Sequence, residues 1–190
     1  MYIGDLHEQS VMNCHCRRRL ESLGAPVRGF VGPATETVHQ IVSVLPRGLH
    51  LAFLDPFNAE QLDFEIIRTL ARQPFIDILV HFSVMDIQRN IDLEAATFGN
   101  RLERIAPGWR EAIDLTILPK SAFVNAFLDH WKQLIQSETQ LTAADMMPLI
   151  RNSKNGPLYR LIMLRRHRLA RKTLEGRWKR REDKKQRILF

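Results

Sequence analysis

The sequence predicts an α/β protein: a mostly parallel sheet with helices on both faces. Three observations predict it. Short apolar runs alternate with stretches whose apolar residues recur at helical spacing. Two of the runs, "LHLAFLD" and "FIDILVHFS", are mostly apolar at successive positions, as strands buried on both faces should be. Polar or turn-forming residues close the runs, at the strand ends where such sheets gather ligands.

The elements follow in order. "MYIG" is a short strand that ends at Gly4-Asp5. Met12, Cys16, Leu20 and Leu23 share one helical face, and Gly24 stops that helix. "VRGFVG" is a second strand, closed by Gly32-Pro33. Val38, Ile41, Val42 and Leu45 form the next helical stripe, ended by Pro46. "LHLAFLD" is the third strand, expected to be buried. Leu62, Ile66 and Leu70 mark a helix before Pro74, and "FIDILVHFS" is the fourth strand. Beyond residue 90 a helical insert is expected. Phe98, Leu102 and Ile105 form one stripe, broken by Pro107-Gly108, and Phe123, Phe127, Trp131, Leu134 and Ile135 form a stronger one. "DLTIL", residues 114–118, is expected to be a short strand, and "PLYRLIMLRR" a late strand running into a basic tail.

The 190 residues suit one domain with an appendage: an α/β domain over 1–164 and a tail over 165–190. The tail holds 12 Lys and Arg against 3 Asp and Glu, a net of +9. The rest holds 16 against 18, a net of −2, so the tail carries the positive field. Arg165, Arg166, Arg168, Arg171, Lys172, Arg177, Lys179, Arg180 and Arg181 are candidate nucleic-acid contacts. A solvated terminal helix is the plainer reading of the same run. No apolar stretch reaches the roughly 18 residues of a membrane span, and "MYIGDLHEQS" does not look like a secretion signal. Cys14 and Cys16 are too close in sequence for an ordinary disulfide and lack zinc-site partners, which points to a reducing, cytoplasmic setting.

Each candidate site residue has two readings. Asp5, after the first strand, can accept hydrogen bonds from ribose hydroxyls, or can cap a turn. Asp55-Pro56-Phe57 puts a carboxylate and a flat apolar ring at a strand exit. Together they suit an amino-bearing ring held by edge hydrogen bonds and stacking. Alternatively Phe57 folds back into the core. Asp86, Gln88, Arg89 and Asn90 can line a site or begin a helix. His81 is expected to be a satisfied core histidine, because the sequence sets no carboxylate, serine or cysteine beside it. G-x-G-x-x-G, P-loop, H-E-x-x-H and G-x-S-x-G motifs are all absent.

"YIGD", "RLESLGAPV", "LHLAFLDPFN", "IDILVHFSVMDIQRN", "RLERIAPGW" and "PLYRLIMLRRHRLARKTLEGRW" together resemble the three-Cys-motif partner protein family. The resemblance spans about residues 2–178 and implies a Rossmann-like fold similar to methyltransferases that use S-adenosylmethionine. It implies that Asp5 holds the cofactor ribose and that Gly32 lies at the adenine. Pro33 stands where such proteins often have an aspartate for the adenine amine. It further implies that Asp55, Pro56 and Phe57 form the floor for an acceptor amino group, as on a nucleic-acid base. A protein with a three-cysteine cluster motif is the implied partner. The family usually has a strand and a glycine-rich turn before the "YIGD" strand, and this sequence begins at "YIGD". An incomplete sheet is therefore expected. Three ways of closing it stand open: direct pairing of the flanking strands, a donated strand, or a truncated product. The expected function is methyl transfer, impaired in the chain alone. The alternative is a non-catalytic module that binds nucleic acid or protein through its tail.

Overall fold

The computed structural model describes residues 1–166 apart from 14, 98–100, 116 and 145–147. Its strands form two sheets. Strand β1 (Tyr2–Asp5) pairs in parallel with β2 (Arg28–Val31). The larger sheet has the order β3 (His50–Leu54), β4 (Ile76–Ser83), β7 (Pro157–Arg165), β5 (Thr142–Ala143), and β6 (Leu149–Arg151) also pairs with β7. β3 and β4 are parallel, whereas β7 is antiparallel to β4, β5 and β6. The sheet is thus mixed rather than mostly parallel. A short turn over 152–156, with Asn155 at φ 63° and Asn152 N donating to Gly156 O, sends the chain from β6 back along β7.

The smaller sheet is covered on both faces. Helices α1 (Glu8–Asn13) and α2 (His15–Ser22) connect β1 to β2. Val11 of α1 is 1% exposed and packs over Gly29. The stripe expected on this segment is not the buried one, because Met12 and Leu23 lie open to solvent. Gly24, at φ 75°, ends the segment as the sequence indicates. Helix α3 (Ala34–Ser43) lies on the other face, with Thr37 and Ile41 against Gly4.

The larger sheet builds the main core on one face. Along β4, Ile76, Ile78, Val80 and Phe82 are buried, and Asp77, Leu79, His81 and Ser83 alternate with them at half burial. Ile162 and Leu164 of β7 join the buried set. Helix α4 (Phe64–Ala71) follows a 3-10 turn, and Leu62, Ile66 and Leu70 are all buried as their spacing indicates. Helix α5 (Val84–Thr97) leaves β4 directly, followed by the short α6 (Arg101–Ile105) and α7 (Trp109–Ala112). Helix α8 (Lys120–Thr139) sends Phe123, Phe127, Trp131 and Ile135 into the core, with Phe82 and Trp131 ring centroids 5.2 Å apart. Arg68 of α4 binds Glu138 of α8 at 2.6 Å, and that bond is the largest influence holding its guanidinium charged.

Two expectations are corrected. The described residues of "DLTIL" form no strand: Leu118 N donates to Asp114 O, and Pro119 then opens α8. "LHLAFLD" is not buried on both faces. Ala52 and Leu54 pack on the core, but Leu51 is 66% and Phe53 56% exposed. That face of β3 is open to solvent, and β3 also lies at an edge of its sheet. Among the described residues it pairs with β4 only, β1 pairs with β2 only, and the two do not pair directly.

A Cβ added at Gly29 would come within 2.3 Å of Val11 Cγ1. Gly29→Ala is therefore expected to destabilise the fold by about 1–3 kcal/mol, read as a lower urea midpoint with an unchanged m-value.

Candidate functional site

The parallel ladder puts Leu54 of β3 opposite Val80 of β4, so Asp55 and His81 leave the two strands side by side. Asp55 Oδ1 is 2.9 Å from His81 Nδ1. The two atoms are close but do not form an aligned hydrogen bond. The Asp55 side chain is 63% exposed and the His81 side chain 22%. Tyr159 of β7 closes the far side of the imidazole, meeting it edge-on with ring centroids 4.1 Å apart. Both imidazole nitrogens are buried without a hydrogen-bond partner. A buried polar atom left in that state costs on the order of 1–3 kcal/mol, so His81 is a group with unmet bonding capacity. The neighbouring carboxylate favours the tautomer with its proton on Nδ1, which leaves Nε2 as an acceptor.

His81 was expected to be a satisfied core residue, and that is corrected here. Its carboxylate partner comes from the next strand in space, 26 positions earlier in the chain. The register of two parallel strands was the signal that could have revealed it. Tyr159 was missed for a similar reason, because its approach depends on the antiparallel return of β7.

The loop after Asp55 is held from below. Asp86 Oδ2 accepts a 2.6 Å hydrogen bond from Ala59 N, and Oδ1 accepts one of 2.9 Å from Asn90 Nδ2. Ser83 Oγ in turn accepts from Asp86 N. Asp86 and Asn90 therefore position the loop, while Gln88 and Arg89 face solvent. Asn58 caps the 3-10 turn by accepting from Gln61 N, and Gln61 Oε1 accepts from Phe57 N. With its backbone tied down, Phe57 presents a ring that is 94% exposed. It does not fold back into the core. Pro56 between them is half-buried.

Asp5 and Gly32 meet at the corresponding end of the smaller sheet, where Gly32 N donates to Asp5 O at 3.0 Å. Asp5 Oδ1 accepts from His7 N, the turn-capping role that the sequence allowed. Asp5 remains exposed, and Gly32 has φ 142°, a conformation that disfavours any side chain. Among the basic candidates, Arg165 belongs to β7, is 7% exposed and lies 4.0 Å from Asp77, and Arg166 donates to the Ala71 carbonyl. Arg165 is thus part of the packed sheet, and Arg166, just past it, is tied to α4. Arg168, Arg171, Lys172, Arg177, Lys179, Arg180 and Arg181 lie outside the described residues.

Comparisons with protein-family models, with curated proteins and with solved structures gave no match. Whether the residues fit S-adenosylmethionine is therefore judged from the site itself. Exposed Asp5 beside Gly32 fits the ribose end. The adenine and methionine ends do not: Pro33 has no side-chain acceptor for the adenine amine, and the nine glycines include no G-x-G pair to make a turn of free N–H groups. The described residues do not make a whole cofactor site.

Asp86→Ala removes the charged acceptor of Ala59 N–H. The expected loss is about 1.5–3 kcal/mol, with faster hydrogen exchange at the Ala59 amide. Gln88→Ala, on the same helix but solvent-facing, should stay within about 0.5 kcal/mol of the parent. Long-range proton–nitrogen NMR should find the neutral His81 ring protonated on Nδ1, and Asp55→Ala should remove that preference.

Proposed function

We propose that this chain is a three-Cys-motif partner protein with a methyltransferase-like scaffold, whose acceptor side is built around Asp55, Pro56 and Phe57. The proposed acceptor is an amino group on a flat ring, with a nucleic-acid base as the substrate class. The observation that carries this reading is the pairing of Asp55 with His81 at the strand exit that leads, two residues on, to the exposed Phe57. A ring stacked on Phe57 would bring its edge amine to a carboxylate. Asp55 would accept an N–H hydrogen bond and orient the nitrogen, as a positioned group must before any transfer. His81 and Tyr159 would steady Asp55 from the sheet side.

S-adenosylmethionine is the cofactor that the resemblance implies, and it would supply an activated methyl group when bound. Because the described residues fit only its ribose end, the chain alone is proposed to bind it poorly. Calorimetry should show no saturable S-adenosylmethionine binding up to millimolar concentration, and a micromolar dissociation constant would contradict the incomplete site. The acceptor side is tested separately. Titration with adenosine or cytidine should shift the Phe57 ring and Asp55 resonances saturably, and Phe57→Ala should abolish the effect. Unchanged shifts at millimolar nucleoside would remove the acceptor reading.

A second reading rests on a different observation, the separation of a +9 tail from a −2 body. It takes the chain as a module that binds nucleic acid through the tail, without catalysis. Removal of 167–190 keeps Arg165 of β7 and the adjoining Arg166, and should flatten the log–log salt dependence of DNA or RNA binding. An unchanged slope would exclude the tail as the binding element.

A further inference from the structure

We infer that Asn155 is a site of spontaneous deamidation, that the Asn152 side chain holds the reaction in check, and that the isoaspartyl product disturbs the strand carrying Tyr159. The reaction itself does not depend on the acceptor reading above.

The turn between β6 and β7 creates the reactive pair. Asn155 stands at φ 63°, a left-handed conformation that asparagine tolerates better than most residues. Gly156 is needed for space. A Cβ there would lie 3.0 Å from Asn152 Nδ2 and 3.2 Å from Asn152 Oδ1. The two demands meet in Asn155-Gly156, the only Asn-Gly step in the sequence. Asn155 is exposed, so water reaches it.

The chemistry needs water as its only co-reactant. Gly156 N loses its proton and attacks Asn155 Cγ, and glycine has no side chain to hinder the approach. The N–Cγ bond forms, the Cγ–Nδ2 bond breaks, and ammonia leaves with the proton. Water then opens the cyclic imide at either carbonyl. One opening gives an aspartyl residue. The other leaves Gly156 attached through Cγ, an isoaspartyl linkage.

Asn152 restrains the first step. Its Oδ1 accepts from Gly156 N at 2.8 Å and from Lys154 N at 3.0 Å. The attacking nitrogen is therefore held by a different side chain, with its proton engaged. Asn152 N also donates to Gly156 O, and Asn155 N to Asn152 O, both at 2.9 Å. Gly156 N is freed when this loop opens, a local event that does not require global unfolding.

The product changes the hairpin. An isoaspartyl linkage adds one carbon to the main chain between β6 and β7. Turn type and loop length fix the register of a hairpin. Here that register sets Ile150 opposite Tyr159, whose ring meets His81. The modification is thus expected to loosen the Tyr159–His81 contact.

The test incubates the full chain at mildly alkaline pH, digests it and maps the peptides by mass spectrometry. Amide loss should concentrate at Asn155, with aspartyl and isoaspartyl peptides both present. Asn152→Ala should speed it about fivefold, the change expected from one net hydrogen bond. Asn152→Asp keeps the acceptor and should stay at the parent rate. In concentrated urea all three chains should react at one rate, faster than the folded parent. The isoaspartyl fraction should show a shifted His81 ring signal by NMR. Amide loss spread evenly over the other asparagines of the unfolded chain would overturn the site. Equal folded rates for the parent and Asn152→Ala would overturn the restraint, as would Asn152→Asp reacting as fast as Asn152→Ala, or a difference that persists in urea. An unchanged His81 signal would overturn the link to Tyr159.

Discussion

The alternation of side chains along β4 is the constraint on which the rest of this molecule depends. A strand projects successive residues to opposite faces, so one choice of face sets all of them. In β4 the apolar choice is Ile76, Ile78, Val80 and Phe82, all buried in the core, with Phe82 against Phe127 and Trp131 of α8. The other set, Asp77, Leu79, His81 and Ser83, is thereby turned to the opposite face. His81 reaches Asp55 because the core is on the other side. A one-residue slip would bury the histidine and expose Phe82, and the large cost of exposing that aromatic core prevents it.

Packing and chemistry are linked through the carboxyl end of the β3–β4 pair. Asp86 begins the helix that β4 feeds, and the same carboxylate holds Ala59 in the loop that displays Phe57. The exposed ring is therefore not a loose surface residue. Its backbone is tied through Gln61 and its loop through Asp86, and the ring faces solvent from that held backbone. This is the pattern expected where a rigid scaffold presents a contact residue.

Much of the fold was legible in the sequence. Strands ending at Asp5, Gly32 and Asp55 were marked by turn chemistry, and α4 and α8 by apolar spacing that their burial matches. What stayed hidden depends on relations between segments distant in sequence. β7 runs antiparallel, and β5 and β6 are too short to leave a periodic signal. Met12 and Leu23 fit a helical stripe, yet Val11 is the residue that found a partner, because Gly29 leaves room for it. At the site, Asp55 and Phe57 were legible from their strand exit. His81 and Tyr159 were not, since only strand register brings them there. β3 reads as a buried strand because its residues are those of one, and the structure leaves it at an edge.

That contrast between a buried-type sequence and an edge position makes the free edge of β3 the feature most worth measuring. Amide hydrogen exchange in the chain by itself reports it directly. Amides of β3 bonded to β4 should be protected, and those on its free edge should exchange as fast as loop amides, giving an alternating pattern over 50–54 beside uniformly slow exchange in the interior of β4. Uniform protection along both 2–5 and 50–54 would mean that the two edges are already paired, and would contradict an open sheet.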